Sequence, residues 1–374
     1  MSRFLPSLRS FVRRLAVGTG LTLASLGVSL LVLEVSLRLL DGVPVFSTEN
    51  FVGAALDTVH GKGLPYDPRI GWLPASNLQT GQFTTGQYGV RMSSSKIVPL
   101  QQGAILMVGD SFGAGAGVPD ADAWPAMVEH SIGSQVIDAA VGGYGFDQIV
   151  MRAEMLLPLL KPRMLLVQAR LEYGNSVNRM SVAGGPPKPY YTVENDQLIL
   201  HNVPVPKVAS SSHDLGWERA IFGHSYIVQY VMTRLNLLQW WVTSMRIKWE
   251  LSESEGVDVS CLLMRRLADV RDREGIRVAL VIQYSALEAI EDPLHWESDR
   301  ARTLGCAKHQ GLQIVDTLEA LRSVYKNAGE AAYQRLWQMT DNNRVYGHMS
   351  AEGDRLIADI VLKELFADEV TGAK

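Results

Sequence analysis

Ser111 follows the apolar run Ile105-Leu-Met-Val108 through Gly109-Asp110 and precedes Phe112-Gly113. A strand ending in a glycine-flanked serine lifts a hydroxyl onto the rim of a sheet, where a base can reach it. Such a hydroxyl is a poor nucleophile at neutral pH. It needs a neighbouring base and donors for the oxyanion it creates. Two distant segments offer these. Val136-Ile-Asp-Ala-Ala-Val-Gly-Gly-Tyr144 offers backbone amides, and Tyr346-Gly-His-Met-Ser350 offers an imidazole. The plainer role for Ser111 is a helix N-cap at a strand-to-helix turn. Gly113, Gly115 and Gly117 do not make a phosphate loop, because no Gly-Lys-Ser/Thr follows and the GxGxxG spacing fails.

Together with Tyr173-Gly-Asn175, the series Ser111, Gly143, Asn175, His348 resembles, in order and spacing, the four sequence blocks of the SGNH (GDSL-type) hydrolases. The resemblance covers residues 104 to 362. It implies a flavodoxin-like three-layer α/β/α fold with a parallel sheet and no cofactor or metal. It also implies Ser111 as nucleophile, His348 as general base, and the Ser111 amide, Gly143 and Asn175 as oxyanion donors, with Asn178 a lesser substitute for Asn175. Three positions depart from the family pattern. Asp138 stands where an Asn five residues before the glycine is common, Ser176 follows Gly174-Asn175 where an Asp is usual, and Val345 occupies the place of the Asp that usually precedes the histidine by three. The orienting group for His348 is then Asp341, seven residues upstream, or a backbone carbonyl. Gly109-Asp-Ser-Phe-Gly113 also fits the elbow of α/β-hydrolases, but there several strands precede the serine, whereas here the sheet begins with the strand ending at Gly109. The other histidines, such as His130 and His309, read as surface or structural residues.

The elements that must position these residues follow from periodicity. Apolar runs of strand length at Ala104–Val108, Gln135–Val141, Met164–Ala169, Arg277–Gln283 and Leu312–Asp316 alternate with helical stretches. This predicts a doubly wound parallel sheet with helices on both faces and ligands beyond the C-terminal strand ends. His348 is expected in the loop feeding the last helix, which Ser350 caps and whose Leu356, Ile357, Ile360, Val361 and Leu365 form one stripe. Residues 176 to 259 interrupt the alternation as an insertion too long for an ordinary connection. Its first part reads as loop and hairpin. Its second, Tyr226 to Leu251, reads as a helix carrying Trp240, Trp241 and Trp249. These aromatics suit a lid, a sugar-stacking surface, a membrane-surface anchor, or plain packing.

From Leu15 to Leu33 there are 19 residues without a charge, preceded by Arg3, Arg9, Arg13 and Arg14. The run predicts an uncleaved membrane anchor with its N-terminus in the cytoplasm; a cleavable signal peptide competes, but its apolar core is usually shorter. The expected organisation is a basic N-terminus at 1–14, the anchor at 15–40, a neck at 42–102, and an SGNH-like domain at 103–368 carrying the insertion. With 35 Lys+Arg against 39 Asp+Glu and a net charge of −4, no nucleic-acid footprint appears. Cys261 and Cys306 have no CxxC pattern and no histidine at ligand spacing, which sets metal binding aside. They read as two free buried thiols, with a disulfide the alternative in an oxidising compartment.

By resemblance, such a chain forms an acyl-serine and passes the acyl group to water or to another hydroxyl. The expectation is a single-pass protein of the cytoplasmic membrane whose exported, periplasmic domain acts on O-acetyl esters of extracytoplasmic polysaccharide or glycan. A lipid esterase and a non-catalytic glycan-binding or assembly component are the alternatives.

Overall fold

In the computed structural model, the described residues are 5–60, 64–81, 83–170, 187–207, 212–243, 253–290, 297–340 and 345–372. Five parallel strands form the central sheet: β1 (Ile105–Val108), β2 (Val136–Asp138), β3 (Met164–Ala169), β4 (Arg277–Ile282) and β5 (Gln313–Asp316), in the order β2-β1-β3-β4-β5. This is the flavodoxin-like order, and the strand placement matches the expectation from the apolar runs. Every residue of β1, β2 and β3 is buried. Strands covered on both faces read as continuous Val/Ile/Leu runs rather than alternating ones, which is why they are visible in the sequence.

Helices alternate with the strands of this sheet. Phe146–Leu160 packs against Glu253–Glu274, which in turn meets Glu297–His309, and Trp124–Ile132 packs against Ala351–Leu365. Cys261 and Cys306 join two of these helices through a disulfide with a Cα–Cα distance of 5.3 Å. The expectation of free thiols is therefore corrected. Each cysteine faces the neighbouring helix across the packing seam, within the separation a disulfide requires.

A second correction concerns the end of the chain. Trp337–Thr340 (β6) and Val345–Met349 (β7) form an antiparallel hairpin, so His348 lies on a strand rather than in a loop. Ser350 caps the following helix as expected, its hydroxyl accepting from the Gly353 amide at 3.2 Å.

The chain divides into two compact units, Met1–Val59 with Ala209–Arg246, and His60–Val208 with Ile247–Lys374. The sheet belongs to the second. Residues 42–59 and 209–246 fall in the first unit, and the remainder of the neck and of the insertion in the second. The hairpin Tyr190–Glu194/Gln197–His201 belongs to the sheet unit. The expected helix Tyr226–Leu251 is broken into Tyr226–Arg234 and Leu238–Thr243, with Asn236 in the left-handed region between them; Trp249 lies outside the described residues. The first unit is built on the helix Leu5–Leu40, hereafter α1, of which Phe11–Leu40 is long and apolar enough to cross a membrane.

Candidate active site

Ser111 is positioned by pairing on both sides of its strand. Gly109 accepts the Val141 amide at 3.0 Å, and the Asp110 amide donates to the Gln168 side chain at 2.9 Å. A Cβ on Gly109 would come within 2.4 Å of that Gln168 oxygen, so the glycine is required for the close approach. Beyond it, Asp110 accepts the Phe112 amide at 2.8 Å and turns the chain.

The neighbouring β2 ends in a turn in which Tyr144 donates to the Val141 carbonyl at 3.2 Å and Gly143 has φ +80°. This conformation favours glycine. The turn is held from the neck: the Trp72 indole donates to the Gly142 carbonyl at 3.1 Å, and its ring meets Tyr144 edge-on at 5.4 Å. Among the described residues, neither the Ser111 nor the Gly143 amide donates to another group. A backbone amide without such a partner can donate to an oxyanion.

His348 completes the arrangement. Its Nε2 lies 2.9 Å from Ser111 Oγ across 237 residues of sequence. With the proton on Nδ1, Nε2 accepts the serine hydroxyl. Burial pulls this imidazole below its ordinary value; the Asp110 carboxylate opposes that fall and the Arg170 guanidinium adds to it. A neutral imidazole at pH 7 is the form a general base needs. Phe112 lies against the ring at 5.3 Å, and the Arg170 guanidinium lies over the Phe112 ring, 4.6 Å from its centroid and 3.9 Å from Glu288 Oε2.

Ser111 and His348 meet, and the turn that carries Gly143 passes beside them, a Cβ on Gly142 standing 3.9 Å from Ser111 Cβ. Asn175 and Asp341 lie outside the described residues, as do Asn178 and Ser176. Val345 is half exposed at the start of β7 and carries no acid. Asp138 is buried beneath the Gly143 turn, accepting the Ala140 amide at 3.0 Å, and burial pushes its carboxyl up to about 7.

Three supporting residues escaped the sequence reading. Gln168 grips Asp110. Arg91, buried, pairs with Asp120 at 2.9 Å and donates to the carbonyls of Gly115 and Val118 at 2.8 and 2.7 Å, fixing the loop after Ser111. Gln338 donates to the carbonyls of Ala116 and Met349. For Gln168 a signal existed: one amide-bearing residue inside the otherwise apolar run Met164–Ala169. A cavity of about 350 Å³ opens beside Ser111, and its lining includes Leu64, Pro74, Leu78, Phe83, Val118 and Val141 together with Thr80 and Arg91.

No family profile matches the chain, and no curated protein matches it. Solved structures similar to it include a protein from Desulfitobacterium hafniense described as lipolytic and of the G-D-S-L family. It is 12% identical over 71% of this chain and 100% of its own, with a TM-score of 0.38. TesA is 14% identical over 71% of this chain and 98% of its own, with a TM-score of 0.40. A catalytic mutant of the acetylxylan esterase Axe2 from Geobacillus stearothermophilus is 13% identical over 72% and 96%, with a TM-score of 0.39.

Proposed function

We propose that this chain is a membrane-anchored serine esterase of the SGNH type. The observation that carries the reading is the 2.9 Å approach of His348 Nε2 to Ser111 Oγ at the C-terminal edge of the parallel sheet. In this reading Ser111 Oγ attacks the acyl carbonyl carbon and its proton passes to His348 Nε2. The resulting oxyanion takes the Ser111 and Gly143 amides, joined by Asn175 in the family pattern. Collapse breaks the bond to the alcohol oxygen, which leaves with the proton from His348. Water or a second hydroxyl then attacks the acyl-serine and takes the acyl group, and Ser111 recovers its proton. Asp341 or a backbone carbonyl orients the imidazole.

The substrates we propose are O-acetyl esters of extracytoplasmic glycan, met by a domain held at the cytoplasmic membrane by α1 and facing the periplasm. Two features support that placement. The polar Thr22 and Ser29 of α1 return their hydroxyls to the carbonyls of Gly18 and Ser25, each at 2.9 Å, as polar side chains in a lipid-facing helix must. The Cys261–Cys306 disulfide suits an oxidising compartment. A second reading, an esterase for longer acyl chains of lipids, is favoured by the apolar cavity beside Ser111, which exceeds what an acetyl group fills.

The test is a fluorophosphonate probe on the full-length protein, with the adduct mapped by mass spectrometry. An adduct at Ser111 that disappears in His348→Ala, together with release of acetate from an activated ester, is the expected result. Glycan binding with neither an adduct nor turnover would replace the enzyme with a binding component.

A further inference from the structure

The uncharged run Leu15–Leu33 has a helical length of roughly 28 Å, close to the ~30 Å of a hydrocarbon core. Glu34, Arg38 and Asp41 therefore mark one boundary of the span. Residues of the same compact unit meet α1 at that level. Glu34 accepts the amides of Tyr226 and Ile227 at 2.7 and 2.9 Å and the Ser225 hydroxyl at 2.9 Å. Arg38 donates to the His224 carbonyl at 2.8 Å, and the Tyr226 hydroxyl donates to Asp41 at 2.8 Å. The helix Tyr226–Arg234 thus begins at the depth where the span ends.

That helix reads Tyr-Ile-Val-Gln-Tyr-Val-Met-Thr-Arg, with its charge at the last residue and none of its residues buried. A helix apolar on most of its circumference belongs inside a protein or in lipid, and the protein does not enclose this one. Its neighbours in the unit share the property: Trp217 is 65% exposed, Ile221 60% and Leu235 61%. The buried cation of the segment, Arg219, is turned inward, donating to the Trp241 carbonyl at 2.8 Å with Trp240 and Trp241 each 5.0 Å from its guanidinium. Across residues 212–243 there are two acids, Asp214 and Glu218, and two bases, Arg219 and Arg234, so net charge gives no pull toward headgroups.

We propose that residues 212–243 lie in the interfacial layer of the same phospholipid bilayer that takes α1, so that the chain holds its membrane by a span plus a group of short interfacial helices. The partner is the lipid surface, engaged through apolar area and aromatic side chains rather than charge. The proposal rests on reading α1 as a span.

The test uses the full-length protein in phosphatidylcholine vesicles. A single labelling cysteine is placed at Ile221, Val231 or Leu235, with Val28 as the reference in the span and Leu159 as a reference in the other unit, and each carries an environment-sensitive fluorophore. The native cysteines are occupied by their disulfide. Each labelled chain should melt at the temperature of the unlabelled one. The expected result is quenching at the three interfacial positions by shallow spin-labelled lipids, with iodide quenching at least about twofold weaker than at Leu159, unchanged in high salt. Water-like emission and full iodide quenching at all three, with Val28 quenched by deep spin labels, overturns the inference and leaves the anchor standing. Water-like behaviour at Val28 removes the anchor and this inference with it.

Discussion

Gln338 donates to the carbonyl of Ala116 at 2.7 Å, five residues beyond Ser111, and the same amide nitrogen reaches the Met349 carbonyl at 2.6 Å, one residue beyond His348. One side chain ties the loop that leaves the serine to the strand that carries the histidine. Gly117, with φ +87°, leaves room for it: a Cβ there would stand 2.2 Å from the Gln338 amide oxygen.

Gln338→Leu should therefore lower kcat about 10²-fold through loss of the Ser111–His348 geometry, since a 1 Å misplacement costs on that order. KM should change little, and stability should fall by about 1–3 kcal/mol for the carbonyls left unpaired. Steady-state kinetics on an activated ester and a thermal melt check both. A kcat within a factor of two of wild type would assign Gln338 to the fold alone.

The acid limb of kcat/KM should follow His348. Burial lowers its affinity for a proton, so activity should be lost as pH falls through a value below the ordinary 6.5. Arg170→Gln removes a cation that disfavours the imidazolium, and the limb should move to higher pH. Asp110→Asn removes an anion that favours it, and the limb should move lower. Shifts in the same direction for both variants would contradict this electrostatic assignment.

Asp138 should make stability depend on pH. Its folded value, about 7, lies above the ordinary 3.8 because of burial, with Arg91 opposing. The stability contributed by its neutral carboxyl is complete below about pH 4 and is lost as pH rises through about 7. Asp354, 1% exposed with neither carboxylate oxygen hydrogen-bonded among the described residues, is pushed in the same direction. Asp138→Asn keeps an acceptor for the Ala140 amide without a charge to bury. Its Tm should fall less between pH 5 and pH 8 than that of wild type. Parallel melting curves at both pH values would show that Asp138 is not the titrating group.

Breaking the Cys261–Cys306 bond opens a loop of 45 residues. The double variant Cys261→Ser/Cys306→Ser should lose about 2–4 kcal/mol on the chain-entropy model, and reductant should lower the wild-type Tm toward that of the variant. An unchanged melt under reductant, with free thiols detected by a thiol reagent, would show that the bond carries no stability.

The parts of this fold legible in the sequence are those where one physical signal dominates. Doubly covered strands such as Met164–Ala169 are uniformly apolar, and Ser111 and His348 stand out beside glycines and an N-cap. Features decided by long-range contact were not legible. The Cys261–Cys306 pairing depends on how two helices approach. The hairpin that lifts His348 onto a strand has no alternating pattern in Val345-Tyr-Gly-His-Met349. The tryptophan-bearing helix breaks at Asn236, whose left-handed backbone overrides the apolar run around it. Arg91 and Gln338 act through backbone carbonyls, and carbonyls leave no trace in composition.

The separation of 237 positions from Ser111 to His348 has a consequence in time. A ribosome adding about 5–20 residues per second takes on the order of 10–50 s to pass from one to the other. Throughout that interval the nascent serine has no imidazole to accept its proton and is an ordinary alcohol. Gln338 and His348 are then translated ten residues apart, so the side chain that ties the two segments together and the imidazole it helps to place are made within a few seconds of each other.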